Sequence, residues 1–215
     1  MTIAAKGWMV SHMSLKDKTI AIIAANEFED IELEYPLLQL NHLGAKILLV
    51  PVQSGHHPRP ALRGEASKPV TGRFGTPLPP EVMAEGNRYE TIAFEDLALD
   101  DLDCILFPGG FSPDHLRVVS EVVEFTREAY ERGIIVASIC HGPWMLVEAD
   151  IADGKDVCGY EAIHTDLKNA GATVHDVPAI QDGNIVTGRV PDDLPEFCEA
   201  VAEALEAVPA ETPTP

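Results

Sequence analysis

The sequence predicts an α/β fold in which a doubly wound, mostly parallel sheet lies between two helical layers as a three-layer sandwich. Short and almost wholly apolar runs, typical of parallel strands buried on both faces, recur along the chain. Segments with helical spacing separate these runs. Polar turns follow several of the apolar runs. In doubly wound sheets, the turns after the strands form the edge at which ligands bind. At 215 residues and 46% hydrophobic composition, the chain is expected to form one domain with a substantial core.

The first half of the domain begins with a βαβ-like unit. Residues 19–25 (TIAIIAA) form the first predicted strand. Leucines at helical spacing over residues 33–40, with acidic residues in the first turns, predict a helix that Gly44 ends. Residues 46–52 form the second strand and complete the unit.

The second half continues the alternation. An Asp-Gly pair between two apolar residues predicts a hairpin within an otherwise parallel architecture. Glycines end two of the predicted helices, and an apolar stripe marks the last one. The predicted elements are strands at 104–107 and 134–139, helices at 120–133, 161–170 and 194–208, and the hairpin at 179–188.

The ends and one internal segment lack such patterns. Residues 1–18 are assigned to an extension and residues 209–215 to a disordered tail, so the domain is expected over 19–208. Residues 53–89 are rich in Pro and Gly and form a long insertion. The insertion gathers positive charge, which fits a cover over an anionic ligand, a contact with a neighbouring subunit, or simply a solvated loop. Its arginines are Arg59, Arg63, Arg73 and Arg88.

Charge and cysteine spacing limit the function classes. A formal charge of −20 disfavours binding to nucleic acid and to anionic membrane surfaces, so the expected partners are small molecules, peptides or proteins. The four cysteines show no CxxC spacing, which argues against a zinc site or a disulfide framework. No cofactor and no metal are expected. Without a signal peptide or a membrane span in the sequence, we expect a cytoplasmic protein.

The strongest chemical motif is Ser138-x-Cys140-x-Gly142, which follows an apolar strand and precedes a segment with helical potential. This is the nucleophile-elbow pattern, in which small residues flank a reactive side chain because the chain reverses sharply. A helix start beyond the turn favours a thiolate. The alternative is a buried cysteine in a tight turn. Cys104, Cys158 and Cys198 have a structural pattern.

Candidate partners for the cysteine lie in turns expected at the same sheet edge. His141 is adjacent in sequence and is a candidate proton acceptor. Gly109 and Gly110 could present backbone N–H groups as an oxyanion hole. Among the carboxylates in these turns, Glu29 and Asp114 are the two that could reach the elbow.

Four stretches, in this order, resemble the ThiJ/PfpI family of the class I glutamine amidotransferase-like superfamily, whose fold is flavodoxin-like. The resemblance runs from about residue 19 to 208 and is strongest to the PfpI-type intracellular cysteine proteases. The matching stretches are NEFEDIELEYPLLQL (26–40), LFPGGFSPDHLR (106–117), VASICHGPWML (136–146) and GNIVTGRVPDDLPEF (183–197).

The resemblance implies roles for individual residues. Cys140 corresponds to the nucleophile and His141 to the general base, and the acid that hydrogen-bonds the nucleophile falls on Glu29. The backbone N–H groups of Gly110 and His141 would form the oxyanion hole. Asp114 occupies the position of a third triad member, a Glu in the proteases, which reaches the histidine from a neighbouring subunit.

The resemblance also implies a function and an assembly. We expect a cytosolic cysteine hydrolase acting on peptides or on the adducts of methylglyoxal with thiols and amines, as a protease, deglycase or glyoxalase. The main alternative is a stress-response or redox-sensing protein whose elbow cysteine is oxidised without turnover. A non-catalytic binding module is a third hypothesis. Self-association as a dimer or a trimer of dimers is expected.

Overall fold

A computed structural model of the chain describes residues 13–54, 69–80 and 88–207. The described residues form strands and helices in alternation. The strands are β1 (Thr19–Ala24), β2 (Lys46–Pro51), β3 (Val70–Thr71), β4 (Pro77–Leu78), β5 (Glu90–Thr91), β6 (Cys104–Phe107), β7 (Ile135–Ile139), β8 (Asp156–Val157), β9 (Thr173–Val174), β10 (Ala179–Asp182) and β11 (Ile185–Gly188). The helices are α1 (Asp30–His42), α2 (Ser112–Leu116), α3 (Ser120–Glu131), α4 (Trp144–Glu148), α5 (His164–Asn169) and α6 (Leu194–Ala207).

The main sheet has seven strands in the order β10-β11-β7-β6-β1-β2-β5. All neighbouring pairs are parallel except β10 and β11, which form the predicted hairpin. The order runs outward in both directions from β1, so the chain reverses its winding direction beside this strand. The doubly wound, mostly parallel sheet predicted from the apolar runs is confirmed, and the carboxyl ends of β1, β6 and β7 meet at one edge.

A hydrophobic core lies on each face of the sheet. Strand β1 shows why its sequence is continuously apolar: Ile20 and Ile22 enter one core, while Ala21 and Ile23 enter the other. Helices α1 and α6 cover the first core, and α2 to α5 cover the second. Both faces of the central strands are therefore removed from water, which is the arrangement that selects apolar residues at every position.

The segment just before β1 belongs to the fold, contrary to its assignment to an extension. Leu15 is fully buried in the core beneath α1, and its N–H donates to the carbonyl of Leu43 at 2.8 Å. Lys18 pairs with Asp103 at 3.0 Å. A single leucine forms no repeating apolar pattern in the sequence, so only the packing shows that residues 13–18 belong to the fold. Residues 1–12 of the predicted extension and the tail at 209–215 lie outside the described residues.

The insertion at 53–89 is described in part, and it holds a small β-structure. Strands β3 and β4 pair antiparallel, and the turn between them carries Arg73. Arg88 donates to the side-chain oxygen of Asn41 at 3.2 Å. Arg59 and Arg63 lie outside the described residues. Of the helices in the described ranges, none is both long and apolar enough to cross a membrane.

Candidate active site

Cys140 follows the last residue of β7 and adopts a left-handed backbone conformation, with φ 62°. A non-glycine residue is strained there and persists only where its surroundings hold it. The Cys140 N–H donates to the Gly188 carbonyl at 3.1 Å, and its own carbonyl accepts from the Tyr160 N–H at 2.9 Å. A Cβ on Gly142 would lie 2.6 Å from the Phe107 carbonyl oxygen, so the turn also requires glycine. The predicted elbow geometry is present.

The glycine pair after β6 lies against this elbow. A Cβ on Gly109 would lie 2.7 Å from the Cβ of Cys140 and 2.9 Å from the backbone nitrogen of His141. Gly110 has φ 67°, and a Cβ there would lie 2.5 Å from the Glu27 carbonyl oxygen. Neither position has room for a side chain. Glycine therefore lets the β6 turn approach the cysteine to backbone contact distance.

Two backbone N–H groups hydrogen-bond to the sulfur of Cys140, those of Gly110 and His141. Both lower the pKa of the thiol. They are the same two donors that the family resemblance implies for an oxyanion hole. A carbonyl carbon bonded to the sulfur would carry its oxygen next to these donors, which is the placement that stabilises developing negative charge.

The carboxyl group beside the thiol is that of Glu32. This residue is fully buried, and its Oε2 accepts from the Gly109 N–H at 2.7 Å. The carboxyl also interacts with the Cys140 thiol, and its Oε1 is buried without a hydrogen bond of ordinary length to any described residue. Burial raises the pKa of Glu32 from 4.5 to about 7. A carboxyl with this pKa is partly protonated at neutral pH.

The prediction that Glu29 hydrogen-bonds the nucleophile is thereby corrected. Glu29 precedes the first residue of α1, and its Oε2 accepts from Nη1 of Arg73 at 2.8 Å. Position 32 lies nearly one turn further along the helix, on the face that also buries Leu33 and Pro36. Glu32 lies next to Leu33, whose spacing with Leu37 marks the buried face of the helix. An acid at that place is the sequence signal that could have identified Glu32, because acids are almost never buried without a partner.

His141 lies against the cysteine. Its Nδ1 is 3.4 Å from the sulfur of Cys140. The imidazole lies between the rings of Trp144 and Tyr160, with centroid distances of 5.4 Å and 5.0 Å. Burial and then the charge of Arg73 lower the pKa of His141, so the ring is neutral at pH 7 and can accept a proton.

Asp114 lies in α2 with an exposed side chain. Its charge raises the pKa of His141 within the same chain, which opposes the effect of burial. The part of the chain that is described contains no hydrogen bond between the two side chains. A contribution of Asp114 across a subunit boundary stays a prediction, as does the dimer or trimer of dimers that it requires. Sedimentation velocity at micromolar protein tests the assembly.

The thiol of Cys140 is protonated at neutral pH in the free protein. Burial raises its pKa, and the charge of Glu32 raises it further, outweighing the two backbone N–H groups. The backbone N–H groups of the turn act in the direction that the sequence predicts, but burial and Glu32 outweigh them, so the predicted thiolate is not the resting form. Proton removal and attack must be coupled, with His141 accepting the proton as the sulfur bonds to carbon. Protonation of Glu32 favours ionisation of the thiol.

The remaining cysteines are buried, and all four are free. Burial raises the pKa of Cys158 to about 11, and its sulfur donates to the Thr187 carbonyl at 3.2 Å. In the described ranges, no group of three or more His, Cys, Asp or Glu side chains could hold a metal ion. The elbow itself brings together a thiol, an imidazole, a carboxyl group and two backbone N–H donors.

Comparison with known proteins places the chain among relatives that span most of it. The sequence profile of the DJ-1/PfpI family matches residues 18–204. A Bacillus subtilis protein named putative cysteine protease YraA is 36% identical over 180 residues, covering 84% of this chain and 94% of that protein. An uncharacterized protein of Archaeoglobus fulgidus is 33% identical over 187 residues, covering 87% of this chain and 98% of the other.

Solved structures share the fold. A two-domain protein of Anabaena variabilis, with DJ-1/ThiJ/PfpI-like and ferritin-like domains, matches with a TM-score of 0.72 and 28% identity. The match covers 92% of this chain and 52% of that one, so this chain spans about half of the two-domain protein. Drosophila melanogaster DJ-1beta matches with a TM-score of 0.69 and 22% identity, over 91% of this chain and 95% of that one.

Proposed function

The chain belongs to the DJ-1/PfpI family, and from that premise we propose that it is a cysteine hydrolase in which Cys140 attacks a carbonyl carbon. The similarity to the relative named as a cysteine protease supports this class of reaction. The substrates are peptides or the adducts that methylglyoxal forms with thiols and amines. Both contain a carbonyl carbon that is open to attack by sulfur. A peptide carries its leaving nitrogen on that carbon, whereas a methylglyoxal adduct carries its leaving sulfur or nitrogen on the neighbouring carbinol carbon, so its hydrolysis to a hydroxy acid also moves a hydrogen from the carbinol carbon to the ketone carbon.

The observation that carries the proposal is the strained backbone of Cys140. A cysteine that serves only packing gains nothing from φ 62°, whereas a nucleophile elbow uses such a strained turn to expose its reactive atom to a substrate. Two N–H donors, from Gly110 and His141, converge on the same sulfur. Strain and converging donors together are typical of a site where charge develops on a bound carbonyl oxygen.

With a peptide as substrate, the first half of the reaction forms an acyl-enzyme. The Cys140 sulfur bonds to the carbonyl carbon while His141 accepts the thiol proton, and the carbonyl oxygen takes negative charge against the N–H groups of Gly110 and His141. The tetrahedral intermediate collapses, the bond to the leaving nitrogen breaks, and the imidazolium returns its proton to the amine. Glu32, held by the Gly109 N–H, keeps a proton near the sulfur and limits the build-up of charge there.

The second half regenerates the enzyme. A water molecule attacks the thioester carbon while His141 accepts one of its protons. The oxyanion again lies against the two backbone donors, and the carbon–sulfur bond breaks. The thiol of Cys140 recovers its proton from the imidazolium, and the carboxylic acid product leaves. Atoms and charge balance over the two halves, with one water consumed.

Substitution at the elbow tests the proposal. Cys140→Ser and His141→Ala are expected to lower turnover of peptide substrates and methylglyoxal adducts at least about a thousandfold, because triad-type groups act as a unit. Cys158→Ser is the matched control, since it changes a buried cysteine that serves packing. Mass spectrometry of the denatured enzyme should detect an acyl group on Cys140. Full activity of Cys140→Ser would contradict the mechanism.

Oxidation without turnover is the second candidate, and one observation favours it. A sulfinate on Cys140 would have the Glu32 carboxyl and two N–H groups as hydrogen-bond donors. Mild peroxide treatment followed by mass spectrometry separates the two functions. A selective gain of two oxygen atoms on Cys140, in a protein with no hydrolase or deglycase activity, favours sensing.

A further inference from the structure

Arg73 brings a positive charge to the rim of the elbow from the insertion. Its backbone N–H donates to the Phe28 carbonyl at 2.9 Å, and Phe28 in turn forms a β-bridge with Gly110. Arg73 is thus two short backbone contacts from an oxyanion-hole donor. After burial, its charge is the largest cause that holds the pKa of His141 below its ordinary value, which agrees with this position.

The turn that carries Arg73 is clamped onto the start of α1 by Asp30. The two carboxylate oxygens of Asp30 accept from the N–H groups of Phe74 and Thr76, each at 2.9 Å. Gly72 lies so close that a Cβ there would meet the same carboxylate at 2.5 Å. A buried carboxylate with two charge-assisted hydrogen bonds holds this turn in one position. The location of Arg73 is therefore a property of the fold.

The guanidinium is oriented and still has open donors. Its Nη1 donates to Glu29, and its plane is flanked by the rings of Phe111 and Phe74, at 5.6 Å and 5.9 Å from Cζ. Within residues 13–54, 69–80 and 88–207, Glu29 is the one residue that accepts a hydrogen bond from the Arg73 guanidinium. The side chain is 43% exposed. One N–H group of the guanidinium is thus paired while the side chain is partly exposed, so N–H donors remain for a carboxylate, whose two oxygens match the guanidinium fork.

We propose that Arg73 is a specificity-determining residue that binds a carboxylate of the substrate near the carbon attacked by Cys140. The inference rests on the proposed reaction at that cysteine and deepens it by naming anionic substrates as the preferred class. A chain with a formal charge of −20 repels anions at long range, so an anionic substrate needs a local cation at the site. Arg73 supplies one beside the reacting atoms.

The competing explanation is that Arg73 serves only to neutralise Glu29. A pair of alkylating probes separates the two explanations without knowledge of the natural substrate. Iodoacetate and iodoacetamide both react with the thiolate of Cys140, forming a sulfur–carbon bond and releasing iodide. They differ in one group, because iodoacetate carries a carboxylate where iodoacetamide carries a neutral amide. The ratio of their rates, measured in one variant at one mildly alkaline pH, cancels the fraction of thiolate.

Arg73→Gln is expected to lower the iodoacetate-to-iodoacetamide rate ratio about fivefold to tenfold, the effect typical of one charge-assisted hydrogen bond. Arg73→Lys should recover part of the ratio because it restores the charge without the fork. Arg88→Gln, which removes a cation of the same insertion bound to Asn41, is the matched control and should leave the ratio unchanged.

The double variant Arg73→Gln/Glu29→Gln decides between the explanations. Anion binding by Arg73 predicts that its ratio stays low, whereas simple neutralisation of Glu29 predicts a return to the wild-type ratio and overturns the proposal. An unchanged ratio in Arg73→Gln, or an equal fall in Arg88→Gln, overturns it as well. The expected ratios in a protein that turns over neither peptides nor methylglyoxal adducts would refute the proposed hydrolase and leave the anion site standing. Labelling with an unchanged ratio refutes the anion site alone.

Discussion

Replacing Glu32 by glutamine should stabilise the protein at alkaline pH. Glutamine keeps the shape of the side chain and can still accept from the Gly109 N–H, but it carries no charge. The wild-type carboxyl is fully buried, and burial raises its pKa from 4.5 to about 7. The folded state therefore holds a proton that the unfolded state releases, and ionisation of this group at higher pH opposes folding.

The magnitude follows from the two pKa values. Since one pH unit corresponds to about 1.4 kcal/mol, a pKa raised from 4.5 to about 7 lowers the free energy of unfolding by about 3 kcal/mol once the pH exceeds both values. Below the unfolded pKa this contribution to stability is fully present, and it is lost as pH rises through the folded pKa. About 2–3 kcal/mol of the change falls between about pH 5 and about pH 8.

Urea unfolding at these two pH values, for the wild type and for Glu32→Gln, measures the effect. The carboxylates elsewhere contribute equally to both proteins, so the difference between the variants isolates Glu32. The free energy of unfolding of Glu32→Gln minus that of the wild type should be about 2–3 kcal/mol larger at the higher pH than at the lower pH. Glu29→Gln is the matched control. It removes only an ion pair with a partly exposed Arg73 and is expected to lower the free energy of unfolding by at most about 1 kcal/mol.

One outcome would refute this reasoning. If the difference in free energy of unfolding between Glu32→Gln and the wild type did not change with pH, Glu32 would not be a buried acid with a raised pKa. If Glu32→Gln were more stable than the wild type at the higher pH but inactive, the Glu32 carboxyl would be a group kept for function at the expense of stability.

Three further predictions concern packing and charge. Gly109→Ala places a Cβ 2.7 Å from the Cβ of Cys140, so urea unfolding should show a loss of about 1–3 kcal/mol and iodoacetamide should label the cysteine more slowly. Leu15→Ala should lower the free energy of unfolding by about 2–5 kcal/mol because the side chain is fully buried, whereas an unchanged value would mean that residues 13–18 lie outside the fold. With a formal charge of −20, the thermal midpoint should rise from low salt to about 1 M KCl as self-repulsion is screened, and a flat response would contradict this.

The correction from Glu29 to Glu32 shows where reasoning along the chain loses information. Both acids lie within a few residues of the same turn, and both side chains carry the same group. The direction in which each side chain points separates them, since one faces the sheet edge beneath Gly109 and the other faces Arg73. Order and composition of a turn do not determine which of two neighbouring acids is buried.

The sequence by itself determined the layered α/β architecture and the nucleophile elbow. Apolar runs reveal strands buried on both faces, and the small residues around Cys140 are needed by the local turn, so both signals are written in contiguous residues. Tertiary structure decided which acid meets the sulfur, that burial keeps the thiol protonated, and that the charge of Arg73 acts on His141. Each of these features brings together residues from separate segments of the described ranges, which are 13–54, 69–80 and 88–207. Burial and charge at a site depend on distances between such segments, and those distances exist only after the chain has packed.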